Sequence, residues 1–370
     1  MPPPHSDRPF AADSLLLRDF HPRQQLVQEE HQPTVARHPA IDAHTHLGRW
    51  LSGWVGRDEE WMIPDVVPWL ERMASFNVHG FVNLDGRWGD ELLANLDRFD
   101  NAFPGRFATM AHLDWSVLAD RSPSAASDAL ADQVRVAAVA GAAGFKVWKD
   151  LGLTVRDGSG SLVLPDDERL DDVWSAAAEA GLPVWWHVAD PVAFFDQVDG
   201  SNENVEILAA RPDWSFHGAA FPSFERLMSA MEHVVAGHAQ TDFVAVHGGC
   251  YAENLTWVSR MLDAHPNLSI DIAARLAQLG RQPRATRALI LAHPDRVLFG
   301  TDEIPHSGAG YPTHFRFLET ADESFAHSVG DGPGLGRWRI SGLDLPDPVL
   351  AAVYGGNAGR LLPRLAGVLS

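Results

Sequence analysis

From residue 40 onward, short apolar runs alternate with stretches whose apolar residues recur every three to four positions. The runs fall at 40–44 (AIDAH), 78–84 (VHGFVNL), 107–113 (FATMAHL), 144–148 (GFKVW), 183–188 (PVWWHV), 242–247 (DFVAVH), 268–273 (LSIDIA) and 296–301 (RVLFGT). Their length and their β-branched and aromatic content fit strands buried on both faces. Between them lie helical patterns, the clearest being PDDERLDDVWSAAAEAG at 165–181. There Asp166 and Asp167 suit a start, Leu170, Val173, Trp174 and Ala177 recur at helical spacing, and Gly181 suits the end. Others are predicted at 65–76, 90–102, 125–140, 223–238, 252–264, 281–293 and near 347–365.

Eight strands alternating with helices predict a parallel sheet, and a count of eight favours closure into a (β/α)8 TIM barrel over an open doubly wound sheet. Residues 40–370 are read as one such domain. Residues 1–39, rich in Pro, His and Gln, are read as an N-terminal arm wrapping its outside. Segments 189–222 and 303–345 are too long for plain connections. They follow the fifth and eighth strands, so they belong at the C-terminal face of the barrel and are candidate lids.

Composition narrows the function classes. Hydrophobic residues make up 45% and charged residues 21%, ordinary for a globular chain able to bury a large core. The formal net charge is −20 and no Lys/Arg run exceeds two, which argues against nucleic acid or an anionic membrane as partner and leaves a small-molecule substrate. No run of 18 apolar residues exists to span a membrane, and the first twenty residues lack the pattern of a secretory signal. The single cysteine, Cys250, excludes an intrachain disulfide and a cysteine-rich metal site. No activating base accompanies it, so it is not read as a nucleophile, and a reducing cytoplasm fits best. Homo-oligomerisation is compatible with these features.

Polar residues then recur at one place in the pattern. His44 and His46 sit two apart at the end of the first strand, where alternate side chains share a side. With 18 histidines in the chain, about one His-x-His pair is expected by chance, so placement carries the argument. His187 ends the fifth strand, His247 the sixth and Asp302 the eighth. In a barrel these five would converge on one point, where burial is costly unless something satisfies them. Imidazoles with a carboxylate suit Zn²⁺ first, with Mn²⁺ or Fe²⁺ as alternatives, over Mg²⁺ or Ca²⁺. On this reading His44, His46, His187 and Asp302 hold the ion. Asp302 doubles as general base, and His247 is a catalytic acid/base or a further ligand.

Substrate contacts are sought at strand ends. Arg275, after the seventh strand, could fork a carboxylate or could form a surface ion pair. Arg49 is a second candidate clamp, with Glu303 and Asp190 weaker ones. Of thirteen tryptophans, Trp50, Trp54, Trp148, Trp185 and Trp186 lie near strand ends, with Trp148 favoured as a wall for a flat ligand, although a tryptophan is more often core.

The ordered set IDAHTHLG, GFKVW, PVWWHVADP, FVAVHGG, LFGTDEIP and YGGNAGRLL resembles the amidohydrolase superfamily over about residues 40–365. The branch it is most similar to includes aminocarboxymuconate semialdehyde decarboxylase, resorcylate decarboxylases and lactone hydrolases. The resemblance implies His44, His46 and His187 as metal ligands, His247 as the metal- or substrate-facing histidine and Asp302 as the catalytic aspartate. Lys146 resembles the lysine that is carboxylated in binuclear members and is a further candidate ligand. The branch resemblance favours one metal and an unmodified Lys146, while strand parity points Lys149 to the other face. The expected activity is hydrolysis of an amide, lactone or ester by metal-activated water. The alternative is non-oxidative decarboxylation of an aromatic or unsaturated acid, and a non-catalytic metal-binding protein is a third class.

Overall fold

The computed structural model describes residues 14–328 and 334–369. By contacts, Met1–Glu30 and His31–Ser370 are separate units. In the larger unit eight parallel strands run in chain order: β1 (Ala40–Thr45), β2 (Val78–Asn83), β3 (Phe107–Ala111), β4 (Gly144–Val147), β5 (Val184–Trp186), β6 (Phe243–Ala245), β7 (Leu268–Asp271) and β8 (Val297–Leu298). Each pairs with the next, as in Phe145 with Val184 and Val184 with Phe243. The ring closes through two bonds beyond the formal ladder: Ala43 N–H donates to Phe299 O at 2.9 Å and Asp302 N–H to His44 O at 3.0 Å. The eighth connection works because Gly300 has no side chain, since a Cβ there would lie 2.9 Å from that of His44.

The pleat sorts side chains between barrel interior and helix layer. On β5, Trp185 points inward and its Nε1–H reaches across to Ala43 O at 2.9 Å, while Trp186 points outward against Trp174 and Phe243. The helix Asp171–Glu179 buries Val173, Trp174, Ala176 and Ala177 against that outer face. Asp167 accepts from Arg169 N–H in the turn before it, and Gly181 follows it at φ +66°. Phe224–Gly237 begins with the same logic, Ser223 accepting from Arg226 N–H at 3.2 Å. Burying each large apolar side chain contributes about 1.5–3 kcal/mol, so the layer rests on packing more than on propensity.

Three expectations need correction. All strands but the first are shorter than the apolar runs, and His46, His187, His247 and Asp302 lie one to four residues beyond the strand ends. The backbone turns there, and His247 and Asp302 adopt left-handed φ of +61° and +58°, which breaks strand hydrogen bonding. The helices predicted at 90–102 and 347–365 are interrupted by widened turns at Asp97–Asn101 and Ala352–Gly356, the second at a Gly-Gly pair that weakens a helix. The described residues of the 303–345 segment include the helix Tyr311–Glu319, mostly buried, and the ribbon β9 (Phe325–Ala326) with β10 (Arg339–Ile340). The 189–222 segment holds only short turns and the helix Val205–Ala210. No helix among the described residues is long and apolar enough to cross a membrane.

Candidate metal centre and active site

Polar residues at the end of β1 and just past β1, β5, β6 and β8 meet at the C-terminal mouth of the barrel. His44 Nε2, His46 Nε2 and His247 Nε2 lie 3.7, 3.3 and 3.9 Å from the carboxylate of Asp302. The rings of His187 and His247 are 4.4 Å apart, and those of His44 and His247 4.7 Å. His44, His247 and Asp302 offer ligand atoms all within 4.8 Å of one another.

Each imidazole is oriented from behind by an acceptor. Asp271 Oδ2 accepts from His44 Nδ1 at 2.7 Å, Asp85 Oδ1 from His46 Nδ1 at 2.6 Å, Asp190 Oδ1 from His187 Nε2 at 3.1 Å, and Ala273 O from His247 Nδ1 at 2.9 Å. An acceptor can be met only by an N–H, so the proton is fixed on that nitrogen and the opposite one presents a lone pair. His44 Nε2, His46 Nε2 and His187 Nδ1 are then buried with no hydrogen-bond partner. Buried lone pairs left bare are costly. Imidazoles oriented by acceptors behind them are the donor chemistry a first-row divalent cation takes. Among the described residues the set whose ligand atoms lie together is His44, His247 and Asp302, and that set fits such an ion, with His46 and His187 bordering it.

The electrostatics agree. Burial pushes His187 down to about 3, with Asp190 opposing, and burial holds His247 well below its ordinary value, reinforced by His187. His46 is the exception. Burial works against its charge, but Asp85 and Asp302 outweigh it and raise its pKa to about 9, so without a cation a proton fills that place. Burial would raise Asp302, yet His44, His46 and Lys146 hold it well below the carboxylate range. One edge of Asp302 stays open, its side chain 19% exposed.

The sixth strand delivers His247 through four successive left-handed residues, His247 to Cys250. Gly248 and Gly249 supply two of them at no steric penalty, and a Cβ on Gly248 would lie 2.8 Å from that of Ala252. Asp271 Oδ1 pins this turn by accepting from His247 N–H at 2.7 Å and Ala273 N–H at 3.1 Å. Strained residues of this kind cost about 1–3 kcal/mol each and persist where surroundings over-determine them. Cys250 is buried in the turn, accepts from Val188 N–H at 3.4 Å, and burial raises its thiol pKa.

Beside the cluster opens a cavity of about 370 Å³, with His187, His247 and Asp302 in its floor. Trp54, Trp148, Phe194 and Trp214 form aromatic walls, and Arg275 and Lys149 add charge. Arg275 is 5% exposed, donates to Ala274 O at 3.0 Å, and forms no ion pair among the described residues, so the surface-pair alternative is set aside. Lys146 is buried, its Nζ without a hydrogen-bond partner and 5.4 Å from the Trp148 ring centre, and burial lowers its pKa to about 8.

Other sequence candidates fall elsewhere. Arg49 pairs with Glu91 and stacks 4.7 Å from Trp61, outside this cavity. Glu303 caps the loop at Ser307, Gly308 and Ala309. Trp50 packs on His112 and Trp148, and Trp185 and Trp186 are core. Lys149 overturns the parity argument, because β4 ends at Val147 and the chain turns at once, bringing Lys149 into the cavity wall. Sequence reasoning missed Asp85 and Asp271 behind the histidines. Their signal, a carboxylate within or just past a buried strand, was present in NLDG and SIDIA.

A parallel barrel with imidazoles and a carboxylate gathered at its C-terminal mouth, where they could hold a divalent cation, defines a class of barrel enzyme. The chain belongs to the amidohydrolase family, whose profile matches residues 41–364. No curated protein matches it. Among solved structures, it is similar to a 2,6-dihydroxybenzoate decarboxylase from Rhizobium, with 15% identity over 90% of this chain and 99% of that one and a TM-score of 0.51. A putative amidohydrolase from Staphylococcus aureus gives 15% identity over 88% and 99% with a TM-score of 0.53. An uncharacterised TIM-barrel protein from Bordetella bronchiseptica gives 16% over 88% and 99% with a TM-score of 0.52. At these identities the likeness is one of fold.

Proposed function

We propose that this protein is a metal-dependent hydrolase that cleaves an amide, lactone or ester bond in a flat, carboxylate-bearing small molecule. The observation that carries the reading is Asp302, an ionised carboxylate ringed by three imidazole nitrogens at 3.3–3.9 Å and open on one edge to the cavity. A divalent cation held by His44, His46, His187 and Asp302, Zn²⁺ by the nitrogen-rich donor set, would polarise a carbonyl and lower the pKa of nearby water to about 7. Asp302 accepts the proton of the attacking water and delivers it to the leaving oxygen or nitrogen. Water's oxygen thereby bonds to the carbonyl carbon as the old C–O or C–N bond breaks. His247, neutral with its Nε2 lone pair turned toward Asp302, accepts a hydrogen bond from the same water. Arg275 forks the substrate carboxylate and Trp148 stacks on its plane.

A second reading, decarboxylation, draws on the same Arg275, which could hold a carboxylate to be lost. It then needs a proton donor to carbon, and Asp302, held ionised well below the carboxylate range, carries no proton to give. A panel of aryl carboxylates, lactones and anilides in ¹⁸O water separates the two. Hydrolysis incorporates one ¹⁸O into the product acid, while decarboxylation releases CO2 and leaves the product unlabelled. Asp302→Asn should lower turnover by about 10²–10⁴ while keeping the metal. A near-wild-type rate for that variant would overturn the role of Asp302, and CO2 release without label would overturn hydrolysis.

A further inference from the structure

Lys149 stands outside the ligand set, yet it links that set to the insert after β5. We propose that Lys149 is a positioning residue for the metal centre: through Asp190 it fixes the ring of His187, and through the rings around it this orientation depends on the folded insert. The proposal rests on reading His187 as a ligand.

The chain of contacts is continuous. Lys149, just past β4, ion-pairs with Asp190 Oδ2, while Asp190 Oδ1 accepts from His187 Nε2 at 3.1 Å. Each oxygen of one carboxylate therefore has a single task, and Asp190 is only 8% exposed. This division keeps the proton on Nε2 and leaves Nδ1, buried and unpartnered, for a cation. Without the ammonium, Asp190 would hold a buried charge with no cationic partner and would turn toward Arg275 or water. Either movement frees His187 to rotate.

The ammonium is itself held. Its Nζ lies 5.9 Å from the ring centre of Trp148, 5.8 Å from Trp214 and 5.5 Å from Phe216. Such faces replace part of the hydration a buried cation loses. Trp214 and Phe216 belong to the insert, and Phe216 is tied down by its N–H to Phe194 O at 2.8 Å. Phe216 is buried and does not line the cavity, so its effect on the metal would pass through Lys149.

The test measures Zn²⁺ dissociation constants of the full chain by competition with a chromophoric chelator, with a thermal melt for each variant. His187→Ala, Lys149→Met and Asp190→Asn should each weaken Zn²⁺ binding about tenfold or more, and Lys149→Arg should stay within about threefold of wild type. Phe216→Leu should weaken it several-fold. If His187→Ala weakens binding and Lys149→Met holds it within about twofold, the positioning role is overturned and the ligand assignment stands. If His187→Ala changes nothing, both fall. Equal losses in Lys149→Arg and Lys149→Met also overturn the proposal, as does a lowered melting temperature with unmoved affinity. If Lys149→Met does not fold, Lys149→Gln carries the same expectations.

Discussion

Asp271 offers the sharpest test of the metal centre, because one residue orients two of its histidines. It is fully buried, and its three acceptor contacts are His44 Nδ1 at 2.7 Å on Oδ2 and the backbone N–H groups of His247 and Ala273 at 2.7 and 3.1 Å on Oδ1. Asp271→Ala would orphan three buried donors at about 1–3 kcal/mol each, a loss of about 3–9 kcal/mol. Against a typical stability of about 5–15 kcal/mol, that variant should fold poorly or not at all.

Asp271→Asn is the informative change. Two backbone N–H groups face Oδ1, so the amide oxygen must stay there and the NH2 must face His44. An NH2 cannot accept, so His44 Nδ1 has to offer its lone pair and the ring proton moves to Nε2. That nitrogen is the one turned toward Asp302, and protonated it cannot ligate. The fold should survive while Zn²⁺ affinity falls about 10–100-fold, equivalent to about 1.4–2.8 kcal/mol. Chelator competition gives the affinity and circular dichroism melting checks the fold. A folded Asp271→Asn protein that binds Zn²⁺ as tightly as wild type, beside a His44→Ala variant that does not, would refute the tautomer argument.

Because Asp85 and Asp302 hold the pKa of cation-free His46 near 9, metal binding must expel its proton. Affinity should therefore rise by about one decade per pH unit from pH 7 toward 9, with one proton released, as measured by calorimetry in buffers of different ionisation enthalpy; a flat profile counts against it. The same shift means that in the cation-free protein His46 stabilises the fold fully below its ordinary value of 6.5, and that this contribution fades as pH rises through about 9. Metal stoichiometry should be one, with Lys146 unmodified; two anomalous peaks about 3.5 Å apart bridged by density from Lys146 would reverse this. Arg275→Met should raise KM for a carboxylated substrate about tenfold or more with little change in kcat, and an unchanged KM would remove Arg275 from the clamp.

Much of this protein can be read in one dimension. The alternation of apolar runs with helical patterns dictates eight strands in order, because burial on both faces requires continuous apolar runs and helical packing requires a period near 3.6. Once a parallel barrel is granted, strand ends share one mouth, so His44, His46, His187, His247 and Asp302 converge without further information. What the linear pattern does not hold is direction beyond the strand ends. Arg49 and Arg275 follow strands in the same way, yet one pairs with Glu91 at the periphery and the other is buried in the cavity wall. Lys149 defies alternation because the ladder stops at Val147 and a turn resets where side chains point. Asp85 and Asp271 act on histidines 39 and 227 positions away, and nothing local in the sequence marks those pairings. Periodicity is a property of neighbours along the chain, whereas the proton on each imidazole is fixed by whichever acceptor the closed barrel brings up behind it.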